Sequence, residues 1–419
     1  MSSQRIIVVG GGVSGLIAAR ELSRKFEVVL IEYRDILGGR IRSTPLQSGE
    51  GVIEAGAEFI HGNLPITMKL LKEANLDYVE AGGAMLRKEG NEWKKQDEMI
   101  EGWDKLIGLM KDLEDDMTMQ QFLDLHFHGD HYAAFRKHVQ QFVQGFDVAE
   151  PERVSVKSLY REWEAEEENY RVRQGYSALV RFLEGDCLKK GCRIITGQAV
   201  KQVDWQQNKI TAYTNAGENF NAEKILITVP VSILQMAERA CAIQFNPEIT
   251  EYVSASFQIG FGTVIKIILD FGRPFWKDNI GFVLSDETIP TWWTQHPVKN
   301  NLLTGWAGGP MADGLAHHSD EELLDLAITS LSRIFDLSQT DIRNNLRQSF
   351  VFNWKKNEET SGAYSYATPD SPAARKLLTT PLANSVYFAG EGLYDGKYSG
   401  TVEAALISGQ TAAELILGS

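Results

Sequence analysis

The sequence predicts an α/β protein built on a doubly wound parallel sheet, and three observations predict it. A β-branched run, Arg5 to Val9, leads directly into the spacing G-x-G-x-x-G at Gly10, Gly12 and Gly15. A second strand, Glu27 to Glu32, ends in an acid about 20 residues past the second glycine, the distance a Rossmann-type unit uses. Near the far end, Val386 to Phe388 reads as a short apolar strand, followed by a Gly390–Glu391 turn and a helix from about Thr401.

Each element has a local reason. Arg5 to Val9 has the composition of a strand buried on both faces. The first glycine permits the turn, the second lets the backbone approach a pyrophosphate, and the third allows close helix–strand packing. Leu16, Ala19 and Leu22 give the following helix its apolar stripe, and its first turn, with Val13 and Ser14, offers free N–H groups to an anion. Glu32 is placed to accept hydrogen bonds from a ribose diol and to repel a 2′-phosphate, which disfavours NADP. Together these features predict dinucleotide binding. Downstream, Leu37 to Ser43, "LGGRIRS", resembles the G-G-R turn of flavin oxidoreductases, in which an arginine reaches the pyrophosphate and flavin. Here that turn is Gly38, Gly39 and Arg40.

At the other end, Ala404, Ala405, Ile407, Ala412 and Leu415 give the last helix its periodicity. Its N-terminus would face an anion such as the reduced pyrimidine end of a flavin. From these residues the chain resembles the flavin amine oxidases, a family of monoamine oxidases, polyamine oxidases and lysine-specific histone demethylases. The resemblance runs in order through "EAGAEFIHG" (Glu54 to Gly62), "YRVRQGYSALVRFL" (Tyr170 to Leu183), "GQAVKQV" (Gly197 to Val203), "AEKILITVPVSIL" (Ala222 to Leu234), "IGFGTVIKIILDFGRPFW" (Ile259 to Trp276) and "NWKKNEETSGAYSYA". It implies a Rossmann-type FAD-binding domain from residues 1–63, 174–245 and 381–419. An α+β substrate-binding domain would take the mostly helical 64–173 and the sheet-rich 246–380, with a helix at Glu321 to Phe335.

The resemblance also implies roles. Lys266 would hold a water near flavin N5, and Trp354 would approach the flavin. Glu58 and Phe59 would lie over it, Val200 would contact adenine through its backbone, and Glu391 would bond the ribityl chain. Thr401 and Val402 would open the helix that points at the flavin carbonyl. In "SGAYSY", Tyr364 and Tyr366 would share one face of a strand. Tyr364 takes the position of a cage tyrosine, whose ring suits an amine, while Tyr366 packs locally. His61 corresponds to a histidine beside the substrate's inner nitrogens in animal polyamine oxidases.

Departures from the family pattern sharpen the expectation. Ala363 replaces the cysteine that tethers the flavin of monoamine oxidases, so FAD should be non-covalent. Thr401 stands where those enzymes have a second cage tyrosine, leaving room for a longer amine, and Ala404 replaces a glycine. No arginine lies within "GAEFIHG", where L-amino acid oxidases and related monooxygenases bind a carboxylate. The expected activity is oxidation of a primary or secondary amine, polyamine favoured, to an imine and aldehyde with dioxygen reduced to hydrogen peroxide. The rivals are an L-amino acid oxidase or flavin monooxygenase, a monoamine oxidase, and a flavin-containing protein that only binds a partner.

The rest of the 419 residues bounds these readings. A formal charge of −14 excludes nucleic acid as a default partner. Cys187, Cys192 and Cys241 make neither a disulfide framework nor a paired metal signature. The start "MSSQRIIVVGGG" enters a strand at once and no apolar run reaches the ~18 residues of a membrane span, so a cytoplasmic protein is expected. The acidic run Glu162, Glu164, Glu166, Glu167 and Glu168 reads as the solvated face of a helix. His126, His128, His131 and His138 lack the spacing of a metal site, and no metal is expected. Oligomeric state is left open.

Overall fold

The computed structural model describes residues 4–46, 51–96, 102–164, 168–236, 239 and 241–419. Five parallel strands form its first sheet, in the order Arg193–Ile195, Glu27–Ile31, Arg5–Val9, Lys224–Ile227 and Val386–Phe388. Val9 is level with Ile31 on one side and Ile227 on the other. Gly10, Glu32 and Thr228 therefore emerge together at the carboxyl edge, where open α/β sheets bind ligands.

The strand alternation explains the two covers. Ile6 and Val8 face the helices Val13–Leu22, Ser177–Lys189 and Val402–Gly418. Ile7 and Val9 face a four-stranded sheet, ordered Asn219–Ala222, Lys209–Thr214, Val200–Gln206 and Gln244–Asn246, and the helices Thr250–Ser256 and Ser371–Leu378. The first and last helices touch backbone to backbone. A Cβ at Gly409 would lie 2.2 Å from Ser14 O, so only glycine fits there.

A second sheet has seven strands, ordered Leu346–Asn353, Val264–Phe271, Leu302–Gly308, Thr291–Thr294, Ile280–Ser285, Ala84–Glu89 and Glu92–Lys95. Pairing is antiparallel except between Ile280–Ser285 and Ala84–Glu89. Its core packs on the helix Asp320–Phe335, which starts one residue before the expected Glu321 because Ser319 and Glu322 form a capping box. The helices Trp103–Lys111, Met119–His126, Ala133–Gly145 and Val156–Trp163 share another core. The 64–173 stretch is thus not helical alone, since it lends two strands to the edge of the large sheet. Among the described residues no helix is long and apolar enough to cross a membrane.

Candidate active site

A cavity of about 1130 Å³ runs from the carboxyl edge of the parallel sheet to the aromatic helices around Phe146. Gly10, Gly12, Val13, Ser14, Glu32, Gly38, Gly39 and Arg40 line its inner end. Gly10 sits at φ +109°, and a Cβ on Gly15 would fall 2.0 Å from Gly10 O. Gly15 lies outside the cavity lining, so its part is packing rather than contact with a ligand. At Gly12 a Cβ would meet nothing within 4 Å, which leaves the cradle open on the ligand side. Ser14 Oγ, in the first helical turn, is buried without a partner. An open glycine turn and an unused buried hydroxyl at a helix N-terminus fit a pyrophosphate.

The Glu32 carboxylate accepts from the N–H groups of Gly11 at 2.6 Å and Arg34 at 2.9 Å. Burial raises its pKa, and those two bonds oppose the rise. Both oxygens keep lone pairs for a diol. Val200 is buried along the same wall, opposite Thr214 in its sheet. Gly390, at φ +151°, donates its N–H to Ser408 Oγ at 3.0 Å and hands the chain to Glu391.

Toward the centre the side chains are charged and mutually engaged. Arg40 Nη1 lies 2.6 Å from Glu391 Oε1 and 2.8 Å from Ala363 O. Glu391 Oε2 accepts from Ser365 Oγ at 2.6 Å, so the acid joins the glycine turn to the tyrosine segment. Lys266 Nζ donates to Glu58 Oε2 at 2.7 Å and Gly56 O at 3.2 Å. Glu58 Oε1 also accepts from Arg171 Nε at 2.8 Å and Trp293 Nε1 at 3.0 Å. Burial would raise the Glu58 carboxyl, but the charges of Lys266 and Arg171 outweigh it and hold the group below its ordinary pKa. Trp354 Nε1 donates to Ala55 O at 3.0 Å while Arg42 covers its ring at 4.9 Å.

The outer end is aromatic and acidic. Tyr364 lies just before the strand Ser365–Ala367, and its hydroxyl donates to Phe146 O at 2.5 Å. Tyr366 is inside that strand, its ring packed on Gly260, where a Cβ would come within 2.1 Å. Both tyrosines line the cavity, although only Tyr366 belongs to the strand. His61 pairs with Asn169 Oδ1 at 2.7 Å and meets the Phe146 ring edge-on, while Phe59 lies under the Arg171 guanidinium at 4.5 Å. Thr401 caps the last helix, accepting from Ala404 N–H at 3.2 Å, and Val402 follows it on the cavity wall. Ala404 is fully buried and does not line the cavity.

Two carboxyls here were not expected at the site. Asp147, on the segment after the Ala133–Gly145 helix, is buried with Oδ2 unpartnered; Trp163 Nε1 donates to its Oδ1 at 3.3 Å. Glu162 lines the same wall and accepts from Ser158 Oγ at 3.1 Å. Burial, then the neighbouring Glu162 charge, pushes Asp147 well above the usual carboxylate range, and burial pushes Glu162 up to about 7. This corrects the reading of the acidic run as one solvated face. The helix stops at Trp163, Glu162 turns inward, Glu164 and Glu168 are exposed, and Glu166 and Glu167 lie outside the described residues. The signal was available, because Ser155, Leu159, Glu162 and Trp163 share one helical side at i, i+3, i+4 spacing.

The missing arginine has a counterpart. Arg171 lines no part of "GAEFIHG" in sequence but reaches it in space, where Glu58 and the carbonyls of Thr294 and His296 occupy its guanidinium. Of the histidine cluster, His138 reaches the cavity, whereas His126 stacks near Phe122 and His131 near Tyr132. Among the described residues no group of three His, Cys, Asp or Glu side chains could hold a metal ion.

Comparison with known proteins agrees with this geometry. Residues 13–417 match the family model for flavin containing amine oxidoreductases. Polyamine oxidase 4 of rice (Oryza sativa subsp. japonica) is 26% identical over 99% of this chain and 88% of its own length. Human lysine-specific histone demethylase 2 is 24% identical over 99% of this chain but only 53% of its own. Among solved structures, a redesigned putrescine oxidase superposes with a TM-score of 0.84 at 19% identity, and the cyclohexylamine oxidase of Brevibacterium oxydans IH-35A with 0.81 at 19%; each alignment covers 99% of both chains. With a glycine-rich dinucleotide cradle at one end of the cavity and an aromatic wall at the other, the chain belongs to the flavin containing amine oxidoreductases and is an FAD-dependent amine oxidase.

Proposed function

We propose that the enzyme oxidises a di- or polyamine, a substrate with a second, cationic nitrogen beyond the reacting one. The observation that carries this reading is the carboxyl pair Asp147 and Glu162 on the wall beside Tyr364. Two neighbouring acids, one of them buried, hold a proton between them unless a cation enters, and an ammonium group supplies that charge. The unpartnered Asp147 Oδ2 is a vacant acceptor for it. The names of its relatives, polyamine oxidases of rice and Arabidopsis thaliana, support the same class.

In this reading FAD, when bound, would supply the two-electron acceptor for the amine α-carbon hydride, with dioxygen as the final oxidant. The protein orients and shields. Gly10, Gly12, Val13 and Ser14 would hold the pyrophosphate, Glu32 the ribose, Val200 the adenine, and Arg40, Glu391, Thr401 and Val402 the flavin side. With Ala363 before Tyr364, no thiol is present there to tether the cofactor. Tyr364 would form one flank of the cage, Trp354 and Lys266 would lie toward the flavin, and His61 would face the substrate chain. The reacting nitrogen must arrive neutral, while the distal one stays charged against the acids.

The test is anaerobic mixing of the holoenzyme with an amine panel, read by loss of flavin absorbance. Spermine, spermidine or putrescine should reduce the flavin faster than tyramine or any amino acid. Faster reduction by tyramine would overturn the polyamine assignment and leave amine oxidation standing.

A further inference from the structure

The far end of the Ser177–Lys189 helix, away from the cavity lining, brings two thiols together. The helix closes in a Schellman motif. Cys192 N–H donates to Cys187 O at 3.0 Å, Gly191 N–H donates to Leu188 O at 3.0 Å, and Gly191 takes the left-handed φ of +83°. In this motif the side chains of the third-last helical residue and the second residue beyond the cap face one another, usually as an apolar contact. Here both positions are cysteine. The 3.0 Å main-chain contact confines the two Cα atoms to within about 7 Å by chain geometry, the range in which a disulfide closes.

Both cysteines are free thiols. They differ in character. The Cys187 thiol is held up by the neighbouring Cys192 sulfur and by burial, whereas the Cys192 thiol is drawn down by its neighbour Cys187. Cys192 is therefore the better nucleophile of the two. Cys187 Sγ also donates to Leu16 O at 3.3 Å, on the helix that follows the glycine fingerprint. Both cysteines are buried, at 0% and 4% exposure, yet Leu188, Lys189 and Gly191 between them are exposed, so fraying of one terminal turn admits a small oxidant.

We propose that Cys187 and Cys192 form a reversible dithiol–disulfide site that hydrogen peroxide oxidises. The site goes beyond amine oxidation and takes from it only the oxidant that oxidation releases. The Cys192 thiolate attacks one peroxide oxygen, the O–O bond breaks, and the departing oxygen leaves as water, giving a sulfenic acid. The Cys187 sulfur then displaces that hydroxyl as a second water and forms the S–S bond. Two thiols lose two electrons and two protons, and one peroxide becomes two waters.

Peptide mapping of the holoenzyme tests this with hydrogen peroxide as the added reagent, so the outcome does not depend on turnover or on the choice of amine. After peroxide, removal of excess by catalase, alkylation in denaturant and trypsin, cleavage at Lys189 and Lys190 separates the two cysteines unless a disulfide joins them. The expected product is a Cys187–Cys192 linked peptide pair, two hydrogens lighter than the reduced pair and released by dithiothreitol, with Cys241 alkylated. In Cys187→Ala, Cys192 should instead be trapped as a sulfenic acid by dimedone. Full alkylation of both cysteines in the treated wild type, a link through Cys241, or sulfinic acid on Cys192 beside a free Cys187 would each overturn the assignment. The wild-type map decides alone if the variant does not fold.

Discussion

Lys266 and Glu58 form a buried ion pair, Nζ to Oε2 at 2.7 Å, with side-chain exposures of 1% and 4%. The pair is asymmetric. Glu58 has Arg171 and Trp293 as further donors, whereas among the described residues Lys266 has Gly56 O as its one further hydrogen-bond acceptor, with the Trp293 ring 5.5 Å away. Breaking a buried pair costs roughly 3–5 kcal/mol because the remaining charge is stranded. Lys266→Met leaves Glu58 still partnered and should cost less than that, while Glu58→Gln strands the ammonium and should cost the full range. Urea unfolding of both holoenzymes checks the order. Lys266→Met should also retain FAD yet slow either flavin reduction or reoxidation in stopped flow; unchanged rates in both would remove the lysine from the chemistry.

The carboxyl pair predicts a pH signature. Glu162 is pushed up to about 7 by burial, so below that pH it is neutral and holds a distal ammonium weakly. For spermidine, kcat/KM should rise as pH climbs through about 7, and rise again as the reacting amine loses its proton. Glu162→Gln should abolish the first rise and keep the second, with KM raised roughly tenfold, the loss of one charge-assisted bond. A wild-type profile without the lower limb would separate Glu162 from the substrate.

How much of this was legible follows from where each signal is stored. The cofactor cradle is local: Gly10, Gly12, Gly15 and Glu32 sit within one strand–turn–helix–strand unit, and backbone sterics dictate their spacing. The meeting of the two chain ends was legible for the same reason, since each end carries its own strand and helix. The engagement of Arg171 with Glu58 was not, because 113 positions separate them and nothing in either segment names its partner. Glu162 was obscured differently. In a run of acids, composition points to solvent, and only the helix phase shared with Trp163 separates the inward one. The two tyrosines show the limit of periodicity, which put Tyr364 and Tyr366 on one strand face when the strand begins only at Ser365.

Those tyrosines should respond differently to truncation. Tyr366 is 5% exposed and packs on Gly260, so Tyr366→Ala should cost about 3–5 kcal/mol of stability. Tyr364 faces the cavity, and Tyr364→Ala should leave the urea midpoint nearly unchanged while raising the amine KM. Tyr364→Phe keeps the ring and loses only the bond to Phe146 O, so it should fall within about fivefold of wild type in kcat/KM. A large stability loss in Tyr364→Ala would mark it as core and not cage.

Glu54 makes stability itself depend on pH. It is 7% exposed, accepts from Tyr176 N–H at 2.8 Å and Ser43 Oγ at 2.7 Å, and burial pushes its pKa up to about 7 from an ordinary 4.5. The sign follows from proton binding. A carboxyl whose folded pKa is raised binds more protons folded than unfolded between those two values, so its favourable contribution is complete below pH 4.5 and is lost as pH rises to about 7. The loss is on the order of 3 kcal/mol at most, from 1.36 kcal/mol per pKa unit. Glu54→Gln keeps an oxygen for Tyr176 and an amide to donate to Ser43, yet carries no charge at any pH. Wild type and variant should therefore unfold at similar urea concentrations near pH 4.5, with the variant ahead by pH 8. Parallel curves across that range would mean that Glu54 is ionised in the fold at every pH tested, its charge compensated by Lys266 through the same buried network that holds Glu58.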